Sequence, residues 1–141
     1  MSFETPCNCL SVRQAARQIT QLYDAALAST GLRITQYSVL AVLQRLGPST
    51  LQVLADELFM DRSTLGHNLR PLEREGLVTL ATDAKDKRAR RLELTARGKK
   101  KLAAAKPFWQ RAQDQFEQRN GAAESKELRR HLRRAAASAS E

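Results

Sequence analysis

The sequence predicts a mostly α-helical single domain of six helices, interrupted once by a short β-hairpin. Three observations predict it. Apolar residues recur every three or four positions along most of the chain. The chain is 42% hydrophobic but only 5% aromatic, so Leu, Val and Ala must build the core, which suits helices. The pattern breaks only near 77–95, where two β-like runs flank a polar turn. A length of 141 residues allows one ordinary domain with a real core, with no internal repeat and no linker long enough to divide it.

The elements follow in order. "SVRQAARQITQLYDAALA" (11–28) places Val12, Ala15, Ala16, Ile19, Leu22, Ala26 and Leu27 near one stripe. Ser11 and Gln14 have the spacing of a capping box, Asn8 offers an earlier start, and Gly31 ends the helix. A second helix covers about 34–46 and stops at Gly47-Pro48. Ser49 or Thr50 caps a short third helix, "LQVLADEL", and Asp61 caps a fourth at about 62–75. "LVTLAT" and "RRLELT" read as strands joined by the charged turn "DAKDKRAR". A long helix then runs to about Arg119, Asn120-Gly121 breaks it, and an Ala/Arg-rich helix covers about 122–137. A short helix, the tight turn "FMDR", a second helix and a hairpin form the layout of a winged helix-turn-helix.

The fourth helix has an unusual exposed side. With Leu65 at the centre of one face, Leu69 and Leu72 fall within about 40° of it. Ser63, His67, Arg70 and Arg74 lie opposite, flanked by Thr64, Gly66 and Pro71, with Glu73 to the side. A face of hydroxyls, imidazole and guanidiniums donates to phosphates and base edges. The bland alternative is a solvated face. The neighbourhood favours DNA: 83–101 holds nine Lys and Arg against three Asp and Glu, a balance of +6 in nineteen residues. Gly66 would let the backbone approach DNA closely. Pro71 removes its own N–H and frees the His67 carbonyl, so it either bends the helix or is tolerated on a wet face. Over the whole chain 24 Lys and Arg oppose 15 Asp and Glu, giving +9, or +18 for a symmetric dimer (2 × 9). That surplus fits a polyanionic partner, double-stranded DNA first, with a non-specific architectural nucleic-acid binder as the competing class.

"GLRITQYSVL" (31–40), "STLGHNLRPLEREGLV" (63–78) and "DAKDKRARRLELTARG" (83–98), in this order, resemble the MarR family of bacterial transcriptional regulators. The last stretch is close to the family's D-x-R-D-x-R wing followed by L-T-x-x-G. The resemblance implies a homodimeric repressor on pseudo-palindromic operators. Residues 34–95 would form the DNA-binding lobe, and 9–30 with 96–137 the dimerisation helices. Arg62, Ser63, Thr64, Gly66, His67 and Arg70 match the groove-reading stretch. Lys85, Lys87, Arg88 and Arg90 belong to the wing, and Asp61 and Asp86 match aspartates that orient its arginine. Two positions depart from the family. Lys85 replaces the first wing arginine and loses bidentate geometry, and Arg33 replaces a threonine that caps the second helix.

Cys7 and Cys9 bracket the start of the first helix. In the organic-peroxide-sensing branch of the family a reactive cysteine matches Cys9 and a tyrosine matches Tyr23, but a second tyrosine falls on Ile34. The cysteines are therefore either redox groups or inert thiols at a dimer interface, and a C-x-C disulfide would close a strained ring. Phe108 and Trp109 on the long helix are packing residues or line a pocket for a small phenolic or aromatic effector. His131 reads as a surface residue. No metal is expected, since two Cys with distant His67 and His131 do not have ligand spacing. No Gly-rich phosphate loop, H-E-x-x-H or nucleophile–base arrangement is present, so neither enzyme nor cofactor is expected. No apolar run reaches the roughly 18–20 residues of a membrane span, and "MSFETPCNCL" lacks signal-peptide form, so a cytoplasmic location is expected.

Overall fold

Among the described residues seventeen hydrophobic side chains are buried, and ten of them are leucines from Leu27 to Leu92. The computed structural model describes residues 4–82 and 90–141. Its elements are α1 (Asn8–Leu27), a 3-10 turn (Ala28–Thr30), α2 (Ile34–Leu46), β1 (Ser49–Thr50), α3 (Leu51–Glu57), α4 (Arg62–Arg74), β2 (Val78–Thr82), β3 (Arg90–Leu94), α5 (Ala96–Asn120) and α6 (Ala122–Ala139). The six helices and the hairpin strands fall where the sequence places them. The sheet has one strand more than expected, because β1 pairs with β3 and the antiparallel order is β1-β3-β2. Two residues are too short a run for alternation to show in sequence.

The start of α1 differs from expectation. Neither Ser11 nor Asn8 caps it. Cys7 is the cap, and its Sγ accepts from the Leu10 N–H at 3.4 Å. Ser11 lies a turn inside, its N–H donating to the Cys7 carbonyl at 3.1 Å. The start of α2 is also explained. The Arg33 guanidinium has no acceptor to offer. The Ile34 N–H donates instead to Asp24 Oδ1 of α1 at 2.7 Å, and the Arg33 N–H to Gln36 Oε1 at 3.0 Å. The Asp24 carboxylate thus satisfies the first N–H of α2 and Gln36 closes back on the Arg33 N–H, so the helix starts without a capping side chain at position 33.

The core lies between α2, α3, α4, the sheet and the first half of α5. Leu65, Leu69 and Leu72 are its α4 contribution, as the leucine stripe requires. The helix is a single element through Pro71. It ends in a Schellman turn: the Leu77 N–H donates to the Leu72 carbonyl at 2.9 Å and the Gly76 N–H to the Glu73 carbonyl at 3.0 Å, with Gly76 at φ 73. An analogous turn ends α3, with the Met60 N–H on the Ala55 carbonyl and the Phe59 N–H on that of Asp56. There the left-handed residue is Phe59 (φ 52), which no turn rule would have selected.

The corner after α4 is clamped to the start of α5. The Thr95 hydroxyl donates to the Gly76 carbonyl (2.6 Å) and accepts from the Gly98 N–H (2.9 Å), and the Thr95 N–H donates to the Leu77 carbonyl (3.1 Å). Gly98 is buried, and a Cβ there would lie 2.0 Å from the Leu77 carbonyl oxygen. This is the physical content of the L-T-x-x-G pattern.

Gly98→Ala should therefore destabilise the fold by about 1–3 kcal/mol through overpacking. Gly66→Ala, where an added Cβ meets nothing within 4 Å, should gain about 0.5–1 kcal/mol. Urea titrations of the two variants check the contrast. Equal effects of one sign would contradict the packing described.

Candidate nucleic-acid interface

Alternation along β3 decides which wing residues face α4. Leu80 of β2 pairs with Leu92 of β3, and Thr82 with Arg90. Side chains two apart share a sheet face, so Arg90 joins Leu92 and Leu80 on one face while Arg91 takes the other. The shared face borders a cleft of about 590 Å³. Its apolar floor is Leu51, Leu69, Leu80 and Leu92, and its walls carry Arg62, Gly66 and Arg70 of α4 with Arg90 of β3. Four residues singled out in sequence, 28 positions apart at the extremes, thus meet around one opening.

Ser63, His67 and Arg74 are exposed on the outward side of α4, beside this cleft. That side is free of carboxylates, as expected. Its flank is not: Glu73 lines the cleft with Arg62 and Arg70. The turn of the helix toward the sheet decides this, and sequence spacing does not reveal it. Gln52 and Thr50, at the start of α3, complete the wall and were not singled out in the sequence. Thr50 is also the cap of α3, accepting from the Val53 N–H at 3.2 Å.

Two of the expected site residues, Asp61 and Thr64, are partly committed to structure. Asp61 caps α4 by accepting from the Thr64 N–H at 2.9 Å, and the Thr64 hydroxyl donates to the other carboxylate oxygen. Those bonds hold the Asp61 carboxyl below its ordinary pKa. Asn68 in turn donates to the Thr64 carbonyl at 3.0 Å. Lys85, Asp86, Lys87 and Arg88 lie outside the described residues, as does any orienting of a wing arginine by Asp61 or Asp86.

The other predicted residues are elsewhere. Cys7 and Cys9 are exposed free thiols in the first turn of α1. Tyr23 lies fourteen residues past Cys9, about 21 Å along the same helix. Its hydroxyl donates to the Gln113 side-chain oxygen of α5. Burial and the Glu117 carboxylate raise its pKa. Within one chain, then, Tyr23 does not reach Cys9. Trp109 stacks on Tyr37, centroids 5.8 Å apart and planes 13° apart. The pair borders a second cavity, about 540 Å³, between α2 and α5, with Ser38, Val42, Leu102 and Lys106. Phe108 instead packs under the Arg111 guanidinium, 5.0 Å from its ring centre. Among the described residues no helix is long and apolar enough to cross a membrane. None of their His, Cys, Asp and Glu side chains gather in a group of three or more fit to hold a metal.

The model of the MarR family matches residues 30–89. The chain is 35% identical over 106 residues to the transcriptional regulator HosA of Escherichia coli, covering 74% of this chain and 76% of HosA. It is 27% identical over 90 residues to the organic hydroperoxide resistance transcriptional regulator of Bacillus subtilis, where the match spans 64% of this chain and 61% of that protein's length. Among solved structures, the transcriptional regulator MosR of M. tuberculosis in complex with DNA superposes with a TM-score of 0.84 at 37% identity, covering 95% of this chain and 96% of that one.

The pH dependence of the α4 cap follows from Asp61. Its carboxyl is lowered in the folded chain from 3.8, so the stabilisation is complete above that value and is lost as the pH falls through the lower folded value. Asp61→Asn keeps an acceptor but removes the charge. The stability difference between wild type and Asp61→Asn should thus be constant near neutrality and shift in acid. A difference that stays flat through the acid range would mean that Asp61 does not titrate as a cap.

Proposed function

The chain belongs to the MarR family, and from that premise we propose that it is a sequence-specific DNA-binding repressor acting as a homodimer on pseudo-palindromic operators. The observation that carries this reading is the meeting of Arg62, Gly66, Arg70 and Arg90 beside the exposed, carboxylate-free side of α4. The mechanism is positional. The buried leucines fix the rotation of α4, so Ser63, His67 and Arg70 face outward to enter a major groove. Arg90 contacts the phosphate backbone, with Lys85, Lys87 and Arg88 adding basic charge next to it in sequence. Gly66, with open space at its Cα, lets the helix lie close to base edges. The role requires no catalysis, and DNA as a target implies the cytoplasm.

Dimerisation is supported by what the single chain leaves uncovered. α1 buries only Leu27, and α6 only Ser125. Leu10, Val12, Leu128 and Leu132 are 38%, 51%, 39% and 42% exposed. The apolar sides of the helices in 9–30 and 96–137 are what we assign to the partner. Sedimentation should find a dimer at micromolar concentration, and a stable folded monomer would refute the assignment.

Release from DNA is assigned to the cavity between α2 and α5. Its stacked Tyr37 and Trp109 wall suits a small phenolic or aromatic ring, and Lys106 suits an anionic substituent. A second reading is favoured by the exposed Cys9 in the first turn of α1. Oxidation of Cys9 by an organic hydroperoxide would shift α1, and Tyr23 would meet Cys9 only from the partner chain. Its proton already goes to Gln113. Cys9→Ser should bind DNA normally yet fail to release it after hydroperoxide treatment, while Cys7→Ser still responds. Retention of DNA by wild type with both thiols oxidised, verified by mass spectrometry, would leave the aromatic cavity as the release site.

Sites selected from a random library test the specificity. Arg70→Ala and His67→Ala should change the selected sequence, with about 1–3 kcal/mol of discrimination lost per base contact. Arg90→Ala should weaken all duplexes alike and flatten the salt slope by about 0.9. An Arg70→Ala variant that selects the same site at the same affinity would refute the placement of α4. Indifference of the wild type to sequence would instead support an architectural binder.

A further inference from the structure

We propose that α6 carries a second surface for duplex DNA, distinct from the α4 face, with Lys126, Arg130, Arg133 and Arg134 as its contacts. At about 100° per residue these four fall within an arc of about 100° on one side of α6. All are exposed. Ion pairs on the helix join Arg130 to Glu127 (2.8 Å) and Arg129 to Glu117 (3.6 Å), and the His131 imidazole lies 3.8 Å from the same Glu127 carboxylate. Among the described residues, Lys126, Arg133 and Arg134 have no carboxylate partner. A stripe of unneutralised cations is a costly way to keep a helix soluble, because like charges on neighbouring turns repel.

The opposite side of α6 is apolar and belongs to the dimer assigned above. Leu128 and Leu132 border a groove with Ile19, Tyr23 and Phe116, so the apolar side turns toward α1 and α5 and the basic stripe turns away. That geometry selects among anionic partners. A membrane would need the leucine side free to insert. A single strand would need aromatic rings to stack on, and α6 has none on this stripe. A duplex needs only a row of cations at a suitable spacing. Lys126 to Arg134 spans about 12 Å, and guanidiniums match phosphate oxygens in pairs.

The stripe is also far from the α4 cleft. Arg129 pairs with Glu117, which lies twenty-one residues along α5 from Ala96. That is about 32 Å from the corner where α5 leaves the DNA-binding lobe. A duplex on α6 is therefore a different duplex, and the protein bridges two segments of DNA.

The test uses the full chain, one bead-bound random-sequence duplex and a second, free, fluorescent one at low salt. Wild type should hold the bead duplex and capture the free one. Lys126→Glu/Arg133→Glu/Arg134→Glu should hold the bead duplex within about twofold and lose capture at least tenfold, since charge contacts carry non-specific binding. The milder Arg133→Gln/Arg134→Gln should lose capture in part, which guards against misfolding of the triple variant. Equal capture by wild type and both variants overturns the proposal. So does wild type that holds the bead duplex but captures nothing, or that binds vesicles of anionic phospholipid through these residues and no second duplex. Failure to hold the bead duplex at all overturns this proposal and the operator-binding reading together.

Discussion

The architecture depends on the contact between the corner after α4 and the start of α5. At Gly98 the backbone of α5 reaches the Leu77 carbonyl with no room for a Cβ, and Thr95 bonds to both sides of that corner. Through this one contact the end of α4, the residue leading into β2 and the long helix share a rigid frame. Shifting α5 by even a methyl group would move the frame on which α4 and β3 are mutually placed. The orientation of α4 and the direction of α5 are in this sense one property.

From that frame the basic cleft follows with little further specification. Three leucines set the rotation of α4, and the twofold alternation of β3 sends Arg90 rather than Arg91 toward it. The cap bonds of Asp61 and Thr64 fix where α4 begins. An apolar floor under a cationic rim strengthens the field of the arginines, because the floor offers no competing dipoles. Glu73 is the single carboxylate on the wall among the described residues, and it moderates that field.

The elements of the chain are stabilised differently. The lobe from α2 to β3 holds most of the buried core, whereas α1 and α6 bury almost nothing of their own. Asp24 is a bond between them: it sits on α1 and satisfies the first N–H of α2. A movement of α1 would disturb the start of α2, which lies directly beneath the Tyr37–Trp109 cavity. The same bond explains how α2 starts without its threonine.

The helices, their breaks at Gly31, Gly47, Gly76 and Gly121, the hairpin and the buried leucines of α4 were legible in the sequence. Each is set by local periodicity or by a residue whose backbone preference acts alone. Charge and spacing also singled out Arg62, Gly66 and Arg70 on one helix and Arg90 in the hairpin, but not that the four line one cleft. What only the tertiary structure decided were contacts between distant segments. β1 is a strand because β3 lies beside it, not because two residues prefer it. Asp24 caps α2 from another helix, Cys7 caps α1 with a weak acceptor that sequence rules rank low, and Glu73 reaches the cleft. Phe59 holds a left-handed turn against its own preference. For β1, Asp24 and Glu73 a distant segment supplies the deciding contact, and one-dimensional spacing carries no information about which neighbour that is; the Cys7 cap and the Phe59 turn are local, but run against residue preference.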